Sequence, residues 1–441
     1  MRRLLILLFF AGVFSATGQV GWQSRDSLTY QLYLSKDWQP LLREVNASLN
    51  EGIDFYYLRV RAGVAAYELK KYRQAADHFA RAFRWYQQDE FLNYWYYSAL
   101  VRAGRFDEAS YLTASLSDNF LYRMQIRKGN LLNGVIAEAQ ITDNANYSEL
   151  IHESPVNSGS YVLYRNIPRE QFYYGVGLEH QVSSRWLLFH GVSKLSIHKS
   201  QYIREGDLGQ AVFLESRVNQ VQYYLQGRYF IGNGWHAKAG LTLIGGSADN
   251  HAVDENALRR KVIVPYRYGI NDHFVQLGIA RDIKSLQPGL SISAGSVAGF
   301  TQIQANAHLT LYPLGSTSLY LTGDVSMHYD TAYEGWKFIA IPKIGTKLGP
   351  FWILAERSFG DIQNYSAAGG YVVYNSPEIV KQLTSLSLTL PMLNYRLNAM
   401  VRYMHSQKEA NTFDYSDKDN YTASPYQYNE RSWLMSLKWY F

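Results

Sequence analysis

From about residue 130 to the last residue, apolar and polar side chains alternate with a period of two, segment after segment. Ile303, Ala305, Ala307, Leu309 and Leu311 alternate with Gln302, Gln304, Asn306, His308 and Thr310, and Leu319, Leu321, Val325 and Met327 stand against Tyr320, Thr322, Asp324 and Ser326. Successive side chains of a strand point to opposite faces, so each segment has one apolar and one polar face. The last strand follows suit: Trp433, Met435, Leu437, Trp439 and Phe441 share one face, and Ser436, Lys438 and Tyr440 the other. At an open sheet edge such a strand is an aggregation hazard. A closed barrel removes the edge, giving lipid to one face and a polar lumen to the other.

About 14 such segments lie between residues 134 and 441, an even number as a closed bacterial barrel requires. Every second connection is tight: Ser183-Ser184, Gly232-Asn233-Gly234, Ser285-Leu286-Gln287, Leu314-Gly315-Ser316, Leu348-Gly349-Pro350 and Leu393-Asn394. The others are mostly long, near 143–169, 197–216, 247–270, 361–380 and 407–428, with short exceptions around Phe300 and Tyr329. Short periplasmic turns and long extracellular loops are the expected polarity, and an even count returns both barrel ends to the periplasm. Within 361–380, Tyr371, Val372 and Val373 read as a strand extension, so 12 or 16 strands are the alternatives. The polar faces assign Gln302, Gln304, Asn306, His308, Asp324, Arg396 and Arg402 to the lumen lining.

Residues 26–126 follow a helical period instead. Trp38, Tyr72 and Phe106 lie 34 apart, as do Leu41, Ala75 and Ala109, which is the period of a helix-turn-helix tetratricopeptide repeat. Gly63, Tyr72, Ala75, Phe79 and Ala82 of the middle unit match the small and large packing positions of that motif, and the outer two units are degenerate, as terminal repeats often are. Tyr94, Trp95, Tyr96 and Tyr97 run consecutively on one helix and cannot all face one core. They are the candidate partner-binding residues of the repeat surface.

Arg2 and Arg3, the apolar run Leu4–Phe14 and the small residues Ala16-Thr17-Gly18 read as a signal peptide over 1–18. The expected domains are then a periplasmic helical repeat domain over 19–129 and an outer-membrane barrel over 130–441. With no cysteine in 441 residues, disulfides, thiolate metal ligation and a lipoprotein acyl site are excluded. No later stretch approaches the roughly 20 apolar residues of a spanning helix, so insertion is by strands. The 37 tyrosines suit interfacial girdles and loops. A net charge of +6, dispersed along the chain, does not imply nucleic acid.

His308 and Asp324 fall on adjacent strands and on the polar face, but no serine stands beside them, and they read as lumen lining rather than catalysis. No phosphate loop or paired-histidine metal spacing appears, so no cofactor and no metal is expected. Asp414, Asp417 and Asp419 lack the glycine turn and terminal glutamate of a calcium loop.

The C-terminal strand ending in Trp439 and Phe441 resembles the signal read by the barrel assembly machinery of bacterial outer membranes. Together with the repeats ahead of it, the barrel resembles proteins of the surface lipoprotein assembly modulator type, with N-terminal repeats followed by a barrel of about 14 strands. It also resembles exopolysaccharide exporters, whose repeats are more numerous and whose barrel is larger, and short-repeat barrels of no assigned activity. The first resemblance implies a transport or secretion component, not an enzyme, in which periplasmic repeats capture a client or partner and the barrel provides passage through outer-membrane lipid. The alternative is a structural or interaction protein whose barrel anchors a repeat domain that docks an envelope complex.

Overall fold

The computed structural model describes residues 21–126, 129–153, 161–206, 210–255, 261–332 and 335–441. The signal-peptide expectation over 1–18 lies outside the described residues. The chain divides into a helical unit, which also takes in Asp282–Leu286 and Tyr312–Leu319, and a barrel unit formed by most of the rest.

The helical unit comprises α1 (21–34), α2 (Trp38–Asn50), α3 (Tyr56–Glu68), α4 (Tyr72–Trp85), α5 (Glu90–Arg102), α6 (Phe106–Thr113) and α7 (Asp118–Arg123). The 34-residue period is a period of backbone geometry. Trp38, Tyr72 and Phe106 each open the second helix of a pair, and Lys36, Lys70 and Gly104, two residues earlier, each adopt a positive φ. Behind each lies the same closure of the preceding helix, with amide donors Asp37, Lys71 and Arg105 reaching carbonyls of Leu32, Ala66 and Leu100 at 3.0, 2.8 and 2.9 Å. The pairs pack through Leu41, Leu58, Ala75, Phe79, Leu92 and Ala109. Gly63 is needed for the closest approach, since a Cβ there would stand 2.3 Å from Cε1 of the buried Phe79 ring. Arg73 is enclosed in the same unit, donating to Asp282 Oδ1 at 2.6 Å with its guanidinium 4.2 Å over the Tyr312 ring.

The barrel strands are β1 (Leu132–Asn144), β2 (Val162–Gln181), β3 (Trp186–Glu205), β4 (Val212–Gly232), β5 (Trp235–Glu255), β6 (Lys261–Arg281), β7 (Leu286–Val297), β8 (Phe300–Leu311), β9 (Leu319–Asp330), β10 (Gly335–Leu348), β11 (Phe351–Arg357), β14 (Ile379–Met392), β15 (Leu397–Tyr415) and β16 (Tyr421–Tyr440). Two short strands, β12 (Tyr365–Ala367) and β13 (Val372–Tyr374), pair only with each other. The 14 barrel strands form one closed antiparallel ladder, in which β1 pairs with β16 from Gly134↔Tyr440 to Asn144↔Glu430.

The alternation resolves as expected for a membrane barrel. Val176, Leu290, Ile292, Ile303, Met435 and Leu437 are exposed on the outer face, and Ser293, Gln302, Gln304, Ser326, Ser432 and Ser436 are buried within. An apolar outer band around a polar interior defines an outer-membrane type of β-barrel. Trp433 and Phe441 belong to the outer band, and the Phe441 amide donates to Asn133 O at 3.1 Å.

Two expectations need correction. Much of the stretches 197–216, 247–270 and 407–428 is not loop but strand: β15 and β16 remain paired out to Tyr415↔Tyr421, and β5 and β6 to Glu255↔Lys261. Tyr, Val, Thr and Phe in these stretches favour a pleated backbone even where it has outrun the apolar band. Residues 361–378 add no strand to the barrel wall, which keeps the expected 14; Val372 and Val373 pair with β12 in the β12–β13 hairpin rather than extending a wall strand.

Candidate functional site: a lumen crossed by a hairpin

Between β11 and β14 the chain turns inward. Its root is fixed at Gly360, where φ is +97° and a Cβ would meet Phe338 O at 2.1 Å, so only glycine fits. Ile362 and Tyr365 pack there against Ile339 and Val380 in a small apolar core. From this root the segment bonds to wall after wall. Asn364 Nδ2 donates to Asp330 Oδ2 at 2.6 Å, and the Tyr365 hydroxyl and Ser326 Oγ are hydrogen-bonded at 2.9 Å. Gln304 Nε2 donates to Ser366 O at 2.8 Å and its Oε1 accepts from Ser366 N. These contacts hold one limb to β8 and β9.

The tip bonds to other strands. Tyr224 Oη, Thr242 Oγ1 and Gln222 Nε2 donate to the carbonyls of Gly369, Gly370 and Tyr371 at 3.0, 2.7 and 2.8 Å. The Tyr371 hydroxyl donates to Glu138 Oε2 on β1 at 2.6 Å. On the return limb Asn375 Nδ2 reaches Gln220 and Asp272. Glu378 Oε1 accepts from Lys199 Nζ of β3 at 2.7 Å, both side chains being at most 8% exposed. The segment 358–378 thus bridges β8–β9 and β1–β6, strands lying on different sides of the ladder, and crosses the lumen.

Toward the short turns, the lumen wall carries a chain of charges. His308 Nδ1 and Asp324 Oδ1 are 2.7 Å apart, Asp324 pairs with Lys343 at 2.9 Å, Lys343 with Glu356 at 3.8 Å, and Glu356 with Arg402 at 3.4 Å. Thr310 Oγ1 lies 3.1 Å from His308 Nε2, so the hydroxyl beside this imidazole belongs to a threonine rather than a serine. The hydroxyl–imidazole–carboxylate order is that of a proton relay, yet Thr310 is also engaged by Thr322 at 2.9 Å and Asp324 by Lys343. In this set each charge has an opposite one beside it.

Of the lumen residues expected from sequence, Gln302, Gln304, Asn306, His308, Asp324 and Arg402 are on the inner face, and Gln304 and Asn306 belong to the hairpin's own bonding network. Arg396 is not lumen lining. It lies exposed in the 393–396 turn, because its β-strand begins only at Leu397 and the turn's three positive-φ residues, Leu393, Asn394 and Tyr395, take up the chain before it. In sequence the hairpin shows only as the strand pattern of Tyr371, Val372 and Val373, which reads as a wall extension, because the wall residues that receive the segment are distant in sequence.

On the helical unit the four consecutive aromatic residues separate. Tyr94 is 41% exposed, whereas Tyr96 is 5% exposed and donates to Glu108 Oε1 at 2.7 Å, so it belongs to the core. Trp95 and Tyr97 pack partly against that core. Tyr57, Trp85, Tyr86 and Phe91 are exposed as well. They lie at the start of α3, the end of α4 and the start of α5, which antiparallel packing brings to one end of the unit. Nearby, burial and the adjacent Arg59 push His78 down to about 4. Arg59 Nη1 lies 3.2 Å from His78 Nδ1; a guanidinium can only donate, so this ring nitrogen accepts and the imidazole is neutral.

No family model matches the chain, and no curated protein matches it. Among solved structures it is similar to the Pseudomonas putida toluene transporter TodX, at 7% identity and TM-score 0.46 over 70% of this chain and 90% of that one. It is similar also to a Pseudomonas aeruginosa FadL homologue, at 6% identity and TM-score 0.43 over 71% and 92%. The translocator domain of the autotransporter NalP from Neisseria meningitidis follows at 10% identity and TM-score 0.31 over 78% and 100%. Likeness at this level says nothing of substrate; the barrel class rests on the closed ladder and its two faces.

Proposed function

We propose that this protein is an outer-membrane channel whose permeability is set by the in-folded segment 358–378. One observation carries the reading: a single connection leaves the wall, crosses the polar lumen and is gripped by side chains of β1, β4, β5, β8 and β9. A barrel serving only as an anchor has no use for wall donors matched to main-chain carbonyls at its centre. In this reading the short turns and the helical repeats face the periplasm, the repeats are of the tetratricopeptide type and take a protein client or partner, and the outer band meets outer-membrane lipid. The closing strand is what the assembly machinery reads. The polar wall, including His308 and Asp324, serves passage rather than catalysis.

The test is single-channel conductance of the purified full-length protein in planar bilayers, beside a variant in which residues 364–375 are replaced by a short Gly-Ser link. The variant should conduct more. Equal conductance in the two would remove the hairpin from the permeation path.

The anchoring alternative draws on the exposed Tyr57, Trp85, Tyr86, Phe91 and Tyr94, since clustered exposed aromatic side chains suit a partner surface. Under it, replacing those five residues abolishes a periplasmic association while conductance stays at background in every hairpin variant.

A further inference from the structure

Within the apolar outer band of the barrel unit stands an exposed lysine, Lys194 of β3. It shares the outward parity of Val192, and across the ladder it faces Tyr174 of β2 and Val221 of β4, all three exposed on the outer face. The next outward row toward the short turns is Val176, Val192, Tyr223 and Leu243. Among the described residues Lys194 enters no ion pair. A bare ammonium on the lipid face of a barrel is costly in a depth-dependent way, and a long stem relieves the cost only by carrying the charge to the headgroup level.

The protein's own carboxylates on this face are engaged elsewhere. Four residues further along β3, about 13 Å away, Asp143, Glu170, His198, Arg217 and Asp249 stand directly opposite one another across five strands. Glu170 pairs with Arg169 at 2.7 Å and with His198 at 3.1 Å, and Asp249 pairs with Arg267 at 2.5 Å. Asp143 is two strands from Lys194 and faces Arg431 across the ladder. The polar groups that flank Lys194 are donors instead. The Tyr174 hydroxyl belongs to the exposed ring opposite it. Ser196 Oγ donates to Asn219 Oδ1 at 2.9 Å, which engages the amide's acceptor and leaves its NH2 group to donate.

We propose that Lys194, with Tyr174 and Asn219 beside it, binds the phosphate of an anionic membrane lipid whose acyl chains lie along Val176, Val192 and Tyr223. The inference rests on the outer band meeting lipid, as the channel reading has it, and names the kind of lipid held there. A phosphate has acceptor oxygens enough for an ammonium, a hydroxyl and an amide together, and the ammonium bond is charge-assisted. The patch offers no carboxylate to repel it. A zwitterionic headgroup carries its own cation beside the phosphate, so it gives Lys194 less than a headgroup that ends in the phosphate itself.

The experiment is calorimetric titration of the folded full-length protein in detergent with dihexanoylphosphatidate, with dihexanoylphosphatidylcholine of the same chains, and with inorganic phosphate. The phosphatidate should bind at least tenfold more tightly than the phosphatidylcholine, and inorganic phosphate should not bind measurably. Lys194→Gln, which breaks no ion pair of the protein, should bring the two lipids within about twofold of each other. Lys194→Arg should keep the preference, and Tyr174→Phe should weaken the phosphatidate several-fold. Equal binding of the two lipids by the native protein, or a preference indifferent to Lys194→Gln, overturns the assignment, and inorganic phosphate binding as tightly as the phosphatidate overturns its lipid part. Binding is read here without conductance. Hairpin-dependent conductance without lipid preference therefore refutes this inference alone, and lipid preference without hairpin-dependent conductance refutes the channel reading alone.

Discussion

The Lys199–Glu378 pair is the sharpest handle on the hairpin, since it ties the end of the in-folded segment to β3. Its charged atoms are 2.7 Å apart, and the side chains are 8% and 5% exposed. Solvent does not screen such a pair, so the near-zero value of surface ion pairs does not apply. Glu378→Gln leaves a buried ammonium without its counter-charge, a change that costs about 3–5 kcal/mol. If that cost is relieved by releasing the segment, the equilibrium between held and released hairpin moves by a factor of about a thousand. Single-channel recordings of Glu378→Gln should therefore show frequent openings, of the amplitude given by the 364–375 replacement, that are rare in the native protein. Lys199→Met with Glu378→Leu removes both charges at similar volume and should restore native behaviour, because a buried pair replaced whole is close to neutral. A Glu378→Gln channel that gates like the native one, or a double variant as open as the single, would refute the reasoning.

Two further outcomes follow from the geometry. Gly63→Ala drives a methyl into the buried Phe79 ring and should destabilise the helical unit by about 1–3 kcal/mol, read as an earlier loss of helical circular dichroism, with Phe79→Leu recovering part of it. His78 is neutral when folded and has its pKa pushed down to about 4, whereas in the unfolded chain it takes a proton near 6.5; its contribution to stability is full above about 6.5 and is lost as pH falls toward 4, about 3 kcal/mol in all. His78→Gln should flatten that part of the helical melting profile.

The parts legible in sequence are those governed by local rules. Alternation identified the inner and outer faces of β8, β9 and β16, because each rests on a two-residue period that the chain repeats many times. The 34-residue spacing marked the helix starts at Trp38, Tyr72 and Phe106, because a turn geometry recurs there. Arg396 shows where local reading stops, since parity assigns a face only within a strand and the strand begins one residue later. Tyr96 and Tyr94 show it again: two residues apart, they lie on opposite sides of one helix, and only the fold shows which side is buried, where Glu108 on the next helix gives Tyr96 a buried acceptor. The hairpin lay furthest from view, as its partners Glu138, Gln222, Thr242 and Gln304 sit 62 to 233 residues from the atoms they bind.

The way the wall holds the hairpin differs along its length, and the difference bears on how it moves. At the tip, Gln222, Tyr224 and Thr242 receive main-chain carbonyls, and Gly369 and Gly370 have φ of +74° and +89° with wall atoms at 3.1 and 2.8 Å from where a Cβ would be. Such contacts require glycine but ask nothing of side-chain identity, and each is a neutral hydrogen bond with a net worth of about 1 kcal/mol. Once the tip leaves, water in the lumen can take over both partners. At the roots the bonds are of another kind: a buried ion pair at Glu378, the apolar packing of Ile362 and Tyr365, and the Gly360 turn seated against Phe338 O. Losing these exposes charge or apolar surface, which water does not compensate. Apart from the Tyr371 bond to the Glu138 carboxylate, the tip is therefore the element that exchanges at low cost, and the roots are the hinge.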